Sequence, residues 1–452
     1  MLRRLATAVS AVVLLAATAV AAPAEKLCSL PPLHLDYSIP HFPESAAALE
    51  VIQQHATASW YTDSMPAQRN KDIIANITTQ CSEDSRLTLV IYGLPNKDCH
   101  HGYSTAGANK NTADYKQWLQ RIVDGFGKRK MLYVLEPDAV GLLANNGCAA
   151  EAGYEANLKI ALEMLTRNPN ADVYLDVGFW ALFNPSQAKG VAAAVKKLAG
   201  AGRLKGITLN TSNYRPNKQM AELCTKFQEA YGDTSLHCIV DTSRNFNDNP
   251  PSGEWCNARF GGIGRPPTSD TGYANLDYFI WIKPAGESDG ECDGAGLTAD
   301  AMKGPWAGAF FNEFFAQLWN NGYFVKELKH STIVPIPRSY NTSNSTTPAL
   351  STATPPMPAS LIKTPVTEAV SPASSARAPV TESSTQVSTQ APDNAATRAS
   401  GSSTKLGGGM IALVVALVVS ASVAGAIVAV RMRRKRLEVA KTPDASFVSM
   451  AA

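Results

Sequence analysis

Cysteine pairs of the CxxC kind are absent from this chain, although it has eight cysteines and seven histidines over 452 residues. Structural zinc sites need such pairs, so no metal and no cofactor is expected. Basic charge is scarce away from the termini. The formal charge is +3, yet Arg3, Arg4, Arg431, Arg433, Arg434, Lys435 and Arg436 alone contribute seven positive charges, which leaves the middle of the chain mildly acidic. That argues against a nucleic-acid partner. Aromatic residues almost vanish from residues 337–405, where Ser, Thr, Pro and Ala dominate. Such a stretch cannot bury a core and reads as a disordered, solvated stalk suited to O-glycosylation.

Two apolar runs lie near the ends. Residues 1–21 combine two arginines, a short apolar core and small residues such as Ala19 and Ala21 at cleavage-like spacing, the pattern of a secretory signal peptide. Residues 410–430 form an uncharged run of 21, close to the roughly 20 that cross a bilayer as a helix. Five basic residues open the tail, 431–452, and put it in the cytosol by the positive-inside rule. A lipid-anchor signal would end in the apolar run, and this chain continues past it. The expectation is a single-pass, type I membrane protein at the cell surface, monomeric, with its bulk outside.

One folded region remains, residues 25–336, with all seven tryptophans and all eight cysteines. Its size is typical of a β/α barrel. An even cysteine count in a secreted region makes disulfides the default. Asn76, Asn210, Asn341 and Asn344 are glycosylation sequons, with Asn210 close to a strand end.

Six apolar runs, at 87–92, 131–135, 173–175, 207–209, 239–240 and 278–282, are each followed by polar residues: Asp98, Asp138, Asp176, Asn213, Asp241 and Lys283. Helix-like segments such as 155–166 and 187–198 lie between most of them. Alternation at this spacing predicts parallel strands joined by right-handed crossovers. The polar groups then converge on the carboxyl end of the sheet, where such folds gather their chemistry. Asp138, in YVLEPDAVG, is the leading candidate; an N-cap aspartate opening the next helix is the plain alternative. The stretch DGECDGAGLTAD at 289–300 superficially resembles a calcium loop, but it has Glu291 at the third place, Cys292 inside it and Asp300 where a bidentate Glu is usual. His100 and His101 read as loop residues. Metal-free acid and base chemistry remains.

Taken together, IYGLPNKDC at 91–99, YVLEPDAVG at 133–141, YLDVG at 174–178, NTSNY at 210–214, EWCN at 254–257 and WIKPAGESDG at 281–290 resemble glycoside hydrolase family 6, the inverting endoglucanases and cellobiohydrolases. The resemblance runs in order along residues 50–325. It implies a distorted (β/α) barrel with about seven parallel strands and a cleft across their carboxyl ends. It implies Asp138 as general acid, Asp98 as the aspartate that keeps the acid protonated and helps order water, and Asp289 as candidate base, acting directly or through a water chain. Lys283, Glu287, Tyr92 and Trp255 match sugar-contacting positions. Asp176, Asn213 and Trp180 are further candidate substrate contacts, with Trp60 and Trp281 as additional stacking platforms; Trp306 and Trp319 are expected in the core. The family's disulfides imply Cys99 with Cys148 and Cys256 with Cys292; Cys28 with Cys81 and Cys224 with Cys238 are the remaining expectations.

Paired carboxylates suit this chemistry, because two close together cannot easily both ionise and one stays protonated as an acid. Two positions depart from the family pattern. Lys97 stands where arginine is usual, retaining charge without the bidentate fork. Phe179 stands where a sugar-binding histidine is usual. A single residue, Glu291, separates Gly290 from Cys292, where cellobiohydrolases of the family carry a long roofing loop. An open cleft, and therefore endo cleavage of a β-1,4-glucan, is the favoured reading. Exo cleavage and a catalytically idle glucan-binding surface protein are the alternatives.

Overall fold

A computed structural model describes residues 24–100, 102, 104–144, 147–247, 253–294 and 297–336. The predicted leader, stalk, membrane span and tail lie outside the described residues. Among the described residues no helix is long and apolar enough to cross a membrane.

Among the described residues eight strands form one sheet, with every strand pairing parallel: β1 (Leu27–Cys28), β2 (Ser59–Thr62), β3 (Arg86–Tyr92), β4 (Met131–Leu135), β5 (Ala171–Asp176), β6 (Gly206–Leu209), β7 (His237–Asp241) and β8 (Leu276–Ile280). The order is β1-β3-β4-β5-β6-β7-β8. β1 pairs with the start of β3 and β2 with its end, on the side β4 leaves open, so together they fill one of seven strand positions. The sheet curls until its two edges meet. Thr57 bridges Trp281, the Ala58 N–H donates to the Trp281 carbonyl at 2.8 Å, and the Trp60 indole N–H donates to the Ile282 carbonyl at 2.8 Å. This is the distorted barrel the sequence implied.

The strand sequences explain the layering. In β3, Leu87, Leu89 and Ile91 pack outward against the helices, while Val90 joins Leu132, Val134, Tyr174, Ile239, Tyr278 and Ile280 inside the curl. Successive side chains point to opposite faces, so Tyr92 shares the inner face with Val90 and stands at the carboxyl mouth. The helices Thr112–Phe126, Tyr154–Leu165, Pro185–Ala199 and Asn217–Tyr231 contribute to the outer cluster. Two start on capping asparagines: Asn111 accepts from the amides of Ala113 and Asp114, and Asn184 accepts from Ser186 just ahead of Pro185.

The amino end of the barrel is sealed by a polar network. Glu25 accepts from Arg86 Nε at 2.7 Å and from the Tyr278 hydroxyl at 2.5 Å, Arg86 pairs with Asp172 at 2.8 Å, and Tyr174 donates to Asp277 at 2.7 Å. Chemistry is left to the carboxyl end.

All four expected disulfides are present: Cys28–Cys81, Cys99–Cys148, Cys224–Cys238 and Cys256–Cys292. Trp319 is buried as expected and stacks on Phe324 at 5.0 Å. Trp306 is not in the core. It is 51 % exposed, because it sits in a turn before the helix Asn312–Asn320 and not within it. Trp281 is also misplaced by the sequence reading: only 1 % exposed, with its indole N–H bonded to the Arg265 carbonyl, it is core and cannot be a platform.

Candidate active site

Several residues just past the strand ends carry positive φ without being glycine: Asn96 at 58°, Asp98 at 52°, Glu136 at 52°, Asp138 at 66°, Asn210 at 67° and Ser212 at 58°. Left-handed backbone is costly for such residues and collects at functional sites. Here it follows β3, β4 and β6 at one end of the sheet.

Asp138 is buried to 7 % exposure immediately beyond β4. Its N–H donates to Asp176 Oδ1 at 2.9 Å, and Asp176 also accepts from the Gly178 N–H at 3.1 Å and the Thr211 hydroxyl. Burial pushes the Asp138 carboxyl well above the ordinary range, and the charges of Asp176 and Asp98 push it further. Asp176 itself is raised to about 6, chiefly by burial. A carboxyl so placed keeps its proton near neutrality and can give it up. Asp138 does open the helix Ala139–Ala144, its carbonyl accepting the Leu142 N–H at 3.0 Å, but it does so with left-handed backbone and not the extended backbone typical of a cap.

Asp98 follows β3 and accepts the Ser104 N–H at 2.7 Å on Oδ2. Tyr92 lies near both acids: burial raises its hydroxyl pKa, and the charges of Asp138, Asp98 and Glu136 raise it further. Its ring meets Trp60 edge-on at 5.8 Å. Trp60 and Trp255 are partly buried.

Asp289 stands in a different setting. Arg244 contacts both of its oxygens at 2.9 and 2.7 Å, Lys283 approaches at 3.2 Å, and the Asn257 N–H and Tyr214 hydroxyl donate at 2.9 and 3.3 Å. Burial opposes its ionisation, but Arg244 and Lys283 prevail and hold its pKa below the ordinary value. A carboxylate so fully engaged has little drive to take a proton, which weakens it as a direct base. The first acid of the calcium-like stretch 289–300 is thus spent on Arg244 and Lys283, and Cys292 within it is bonded to Cys256. Glu287, beside the cluster, is raised to about 7, first by burial and then by Asp289 against the opposing charge of Lys283.

The family model for glycosyl hydrolases family 6 matches residues 37–322. The chain belongs to that family. Among curated relatives, it is 30 % identical over 253 residues to Endoglucanase A of Thermobispora bispora, covering 56 % of this chain and 54 % of that protein. It is 29 % identical over 338 residues to a probable 1,4-β-D-glucan cellobiohydrolase C of Aspergillus niger, covering 62 % and 72 %. The chain thus spans little more than half the length of the first of these. Among solved structures, the family 6 enzyme of Orpinomyces sp. Y102 superposes with a TM-score of 0.58 at 26 % identity, covering 66 % of this chain and 97 % of that one.

Both departures from the family 6 pattern are resolved by the geometry. Lys97 pairs with Asp63 at 2.6 Å in a buried site, with its ammonium 5.6 Å from the centre of the Tyr92 ring. Phe179 is 2 % exposed, with the Arg215 guanidinium 5.6 Å from its ring centre, so it offers substrate no surface. Two expected sugar contacts also turn inward. Asp176 is 1 % exposed and spends its oxygens on Asp138, Gly178 and Thr211. Asn213 is equally buried and donates to the Thr211 carbonyl at 2.9 Å, so it shapes a turn. Asn210 is buried too, with its amide on the Asp241 carbonyl at 2.8 Å, a poor glycan acceptor once folded. Trp180 remains partly open above Gly178, where a Cβ would come within 2.3 Å of its ring.

Two residues, Glu136 and Arg244, escaped the sequence reading of the site, and a third, Asp241, was expected at a strand end but given no role. Glu136, fully buried, accepts the N–H groups of Gly93 at 3.0 Å and Leu94 at 3.2 Å and the Tyr115 hydroxyl at 2.8 Å, clamping the exit of β3 to the exit of β4. Asp241 accepts from the amides of Ser212, Ser243, Ile282 and Lys283 at 2.8 to 3.2 Å, joining three strand ends. Arg244 is the cation that fixes Asp289. The position of Glu136 inside EPD, one residue past a buried strand, was the one signal available.

Proposed function

We propose that this chain hydrolyses internal β-1,4-glucosidic bonds of cellulose or a related β-glucan with inversion. Asp138 protonates the leaving oxygen. The bond from C1 to the leaving oxygen breaks as a water, ordered from the side of Asp98, bonds to C1 from the opposite face of the sugar and passes its proton along a water chain to the ionised Asp289 carboxylate. The observation that carries this reading is the Asp138 carboxyl, buried with Asp176 and Asp98 charging its surroundings and its own backbone pinned. Endo cleavage is supported by the single residue between Gly290 and Cys292 and by the resemblance to an endoglucanase; the resemblance to a cellobiohydrolase keeps exo cleavage as the competing mode. Display on the cell surface by residues 410–430 would suit remodelling of the cell's own wall, and recovery of the protein mainly from the medium would count against it.

The test follows cellohexaose by proton NMR in the opening minutes, with Asp138→Ala alongside. Early α-anomer from internal bonds, lost in the variant, is the expected result. Saturable binding without cleavage would make the protein a glucan receptor.

A further inference from the structure

Asp63 follows β2 directly and is 4 % exposed although charged. One carboxylate oxygen receives the Lys97 ammonium at 2.6 Å and the other receives the Asn109 N–H at 2.9 Å. Its carbonyl receives the Ala108 N–H at 3.0 Å. Lys97 makes a second bond, to the Ala106 carbonyl at 2.6 Å. The Asn109 side chain then donates to the Gly93 carbonyl at 2.7 Å, tying the same stretch back to the exit of β3. One acid therefore gathers the residue just before Asp98 and residues 106–109 after it. The fit is close: a Cβ on Gly107 would stand 2.1 Å from an Asp63 carboxylate oxygen.

We propose that Asp63 is a positioning residue for the acid–base step. By pairing with buried Lys97 and binding the backbone at Ala108 and Asn109, it fixes the chain on both sides of Asp98, and so fixes where the Asp98 carboxylate stands. The lysine is kept as the counter-ion of Asp63. This rests on the hydrolytic reading above. Asp63 need not touch substrate: a shift of about 1 Å in a catalytic group costs up to about a hundredfold in rate. Removing one partner of a buried ion pair strands the other charge.

The experiment uses the full chain carrying Asp63→Asn, Lys97→Met, or both. The readouts are kcat and KM on cellohexaose, the alkaline limb of the kcat profile, and amide hydrogen exchange at residues 104–109. For Asp63→Asn, kcat falls by about a hundredfold while KM stays within about threefold. Its alkaline limb moves to lower pH, because the charge of Asp98 is withdrawn from Asp138, whose carboxyl also faces Asp176, Tyr92 and Tyr154. Exchange at 104–109 accelerates. The double variant loses less than the two single losses combined, since no charge is stranded. Lower thermal stability with kcat and the pH limb unchanged would overturn the proposal. If Asp63→Asn does not fold, Gly107→Ala presses on the same carboxylate and must give the same kcat-selective loss. If the parent chain does not turn over cellohexaose, the hydrolytic reading fails by itself. Exchange at 104–109 then decides for Asp63, and unchanged exchange in Asp63→Asn would sink it.

Discussion

The main chain of Asp138 hangs on the side chain of Asp176, N–H to Oδ1 at 2.9 Å, so the group that charges the acid also holds it in place. Asp176→Asn should separate the two effects, since an amide oxygen still accepts while the charge is gone. The Asp138 pKa falls toward the ordinary carboxylate range, and the alkaline limb of kcat moves to lower pH. Because Asp176 titrates at about 6, the difference from the parent is greatest above that pH. A pH–rate profile on cellohexaose checks this, and an unmoved limb would remove Asp176 from the acid's control.

Glu136 makes stability fall as pH rises. Its folded pKa is raised from 4.5 to about 8, first by burial. Its favourable contribution is therefore complete below the unfolded value and lost as pH climbs through the folded one. Glu136→Gln should flatten urea stability between about pH 4.5 and 8. At pH 5 it should also cost about 1–3 kcal/mol, because a side-chain amide donor now faces backbone donors. A variant that keeps the parent's pH slope would contradict the assignment.

Cys99 adjoins Asp98 and is bonded to Cys148 across 49 positions, on the far side of Asp138 in sequence. Replacing both with serine should lower stability by about 2–5 kcal/mol. Activity on cellohexaose should drop further than the folded fraction does, as the anchor beside Asp98 is lost. Equal losses would make the bond purely structural.

Phe179→His introduces the residue type usual in family 6 without giving it access to sugar. The buried imidazole lacks the ring's apolar packing and, if protonated, meets the Arg215 guanidinium. A loss of about 1–3 kcal/mol in thermal or urea stability is expected, with no gain in kcat/KM. A gain would show that position 179 reaches substrate.

The strands were legible where apolar runs are unbroken: 131–135 matches β4 to the residue, and the other five runs fall within two residues of their observed ends. β1 and β2 were missed because a two-residue strand and SWYT carry no such run, and both exist only by pairing with β3. The acids after strands were legible for the same local reason. Arg244, 45 positions from Asp289, and Asp63, 34 from Lys97, depend on distant partners that no window on the sequence contains. Asp176 and Asn213 lie at the carboxyl end of the sheet as read from the sequence, but a polar residue after an apolar run does not reveal whether its side chain faces the cleft or, as here, bonds to neighbouring turns.

The seam at Trp60 and Ile282 joins residues 222 positions apart, and Ser45 reaches Asn312 across 267. During synthesis the amino-terminal segment emerges first and waits for the last strand. Until then the outer edge of the growing sheet has no cover, a condition that favours misassociation of nascent chains. The segment around Ser45 and Trp60 is thus the part of the fold finished last, and the yield of folded protein in a cell depends on how that interval is guarded.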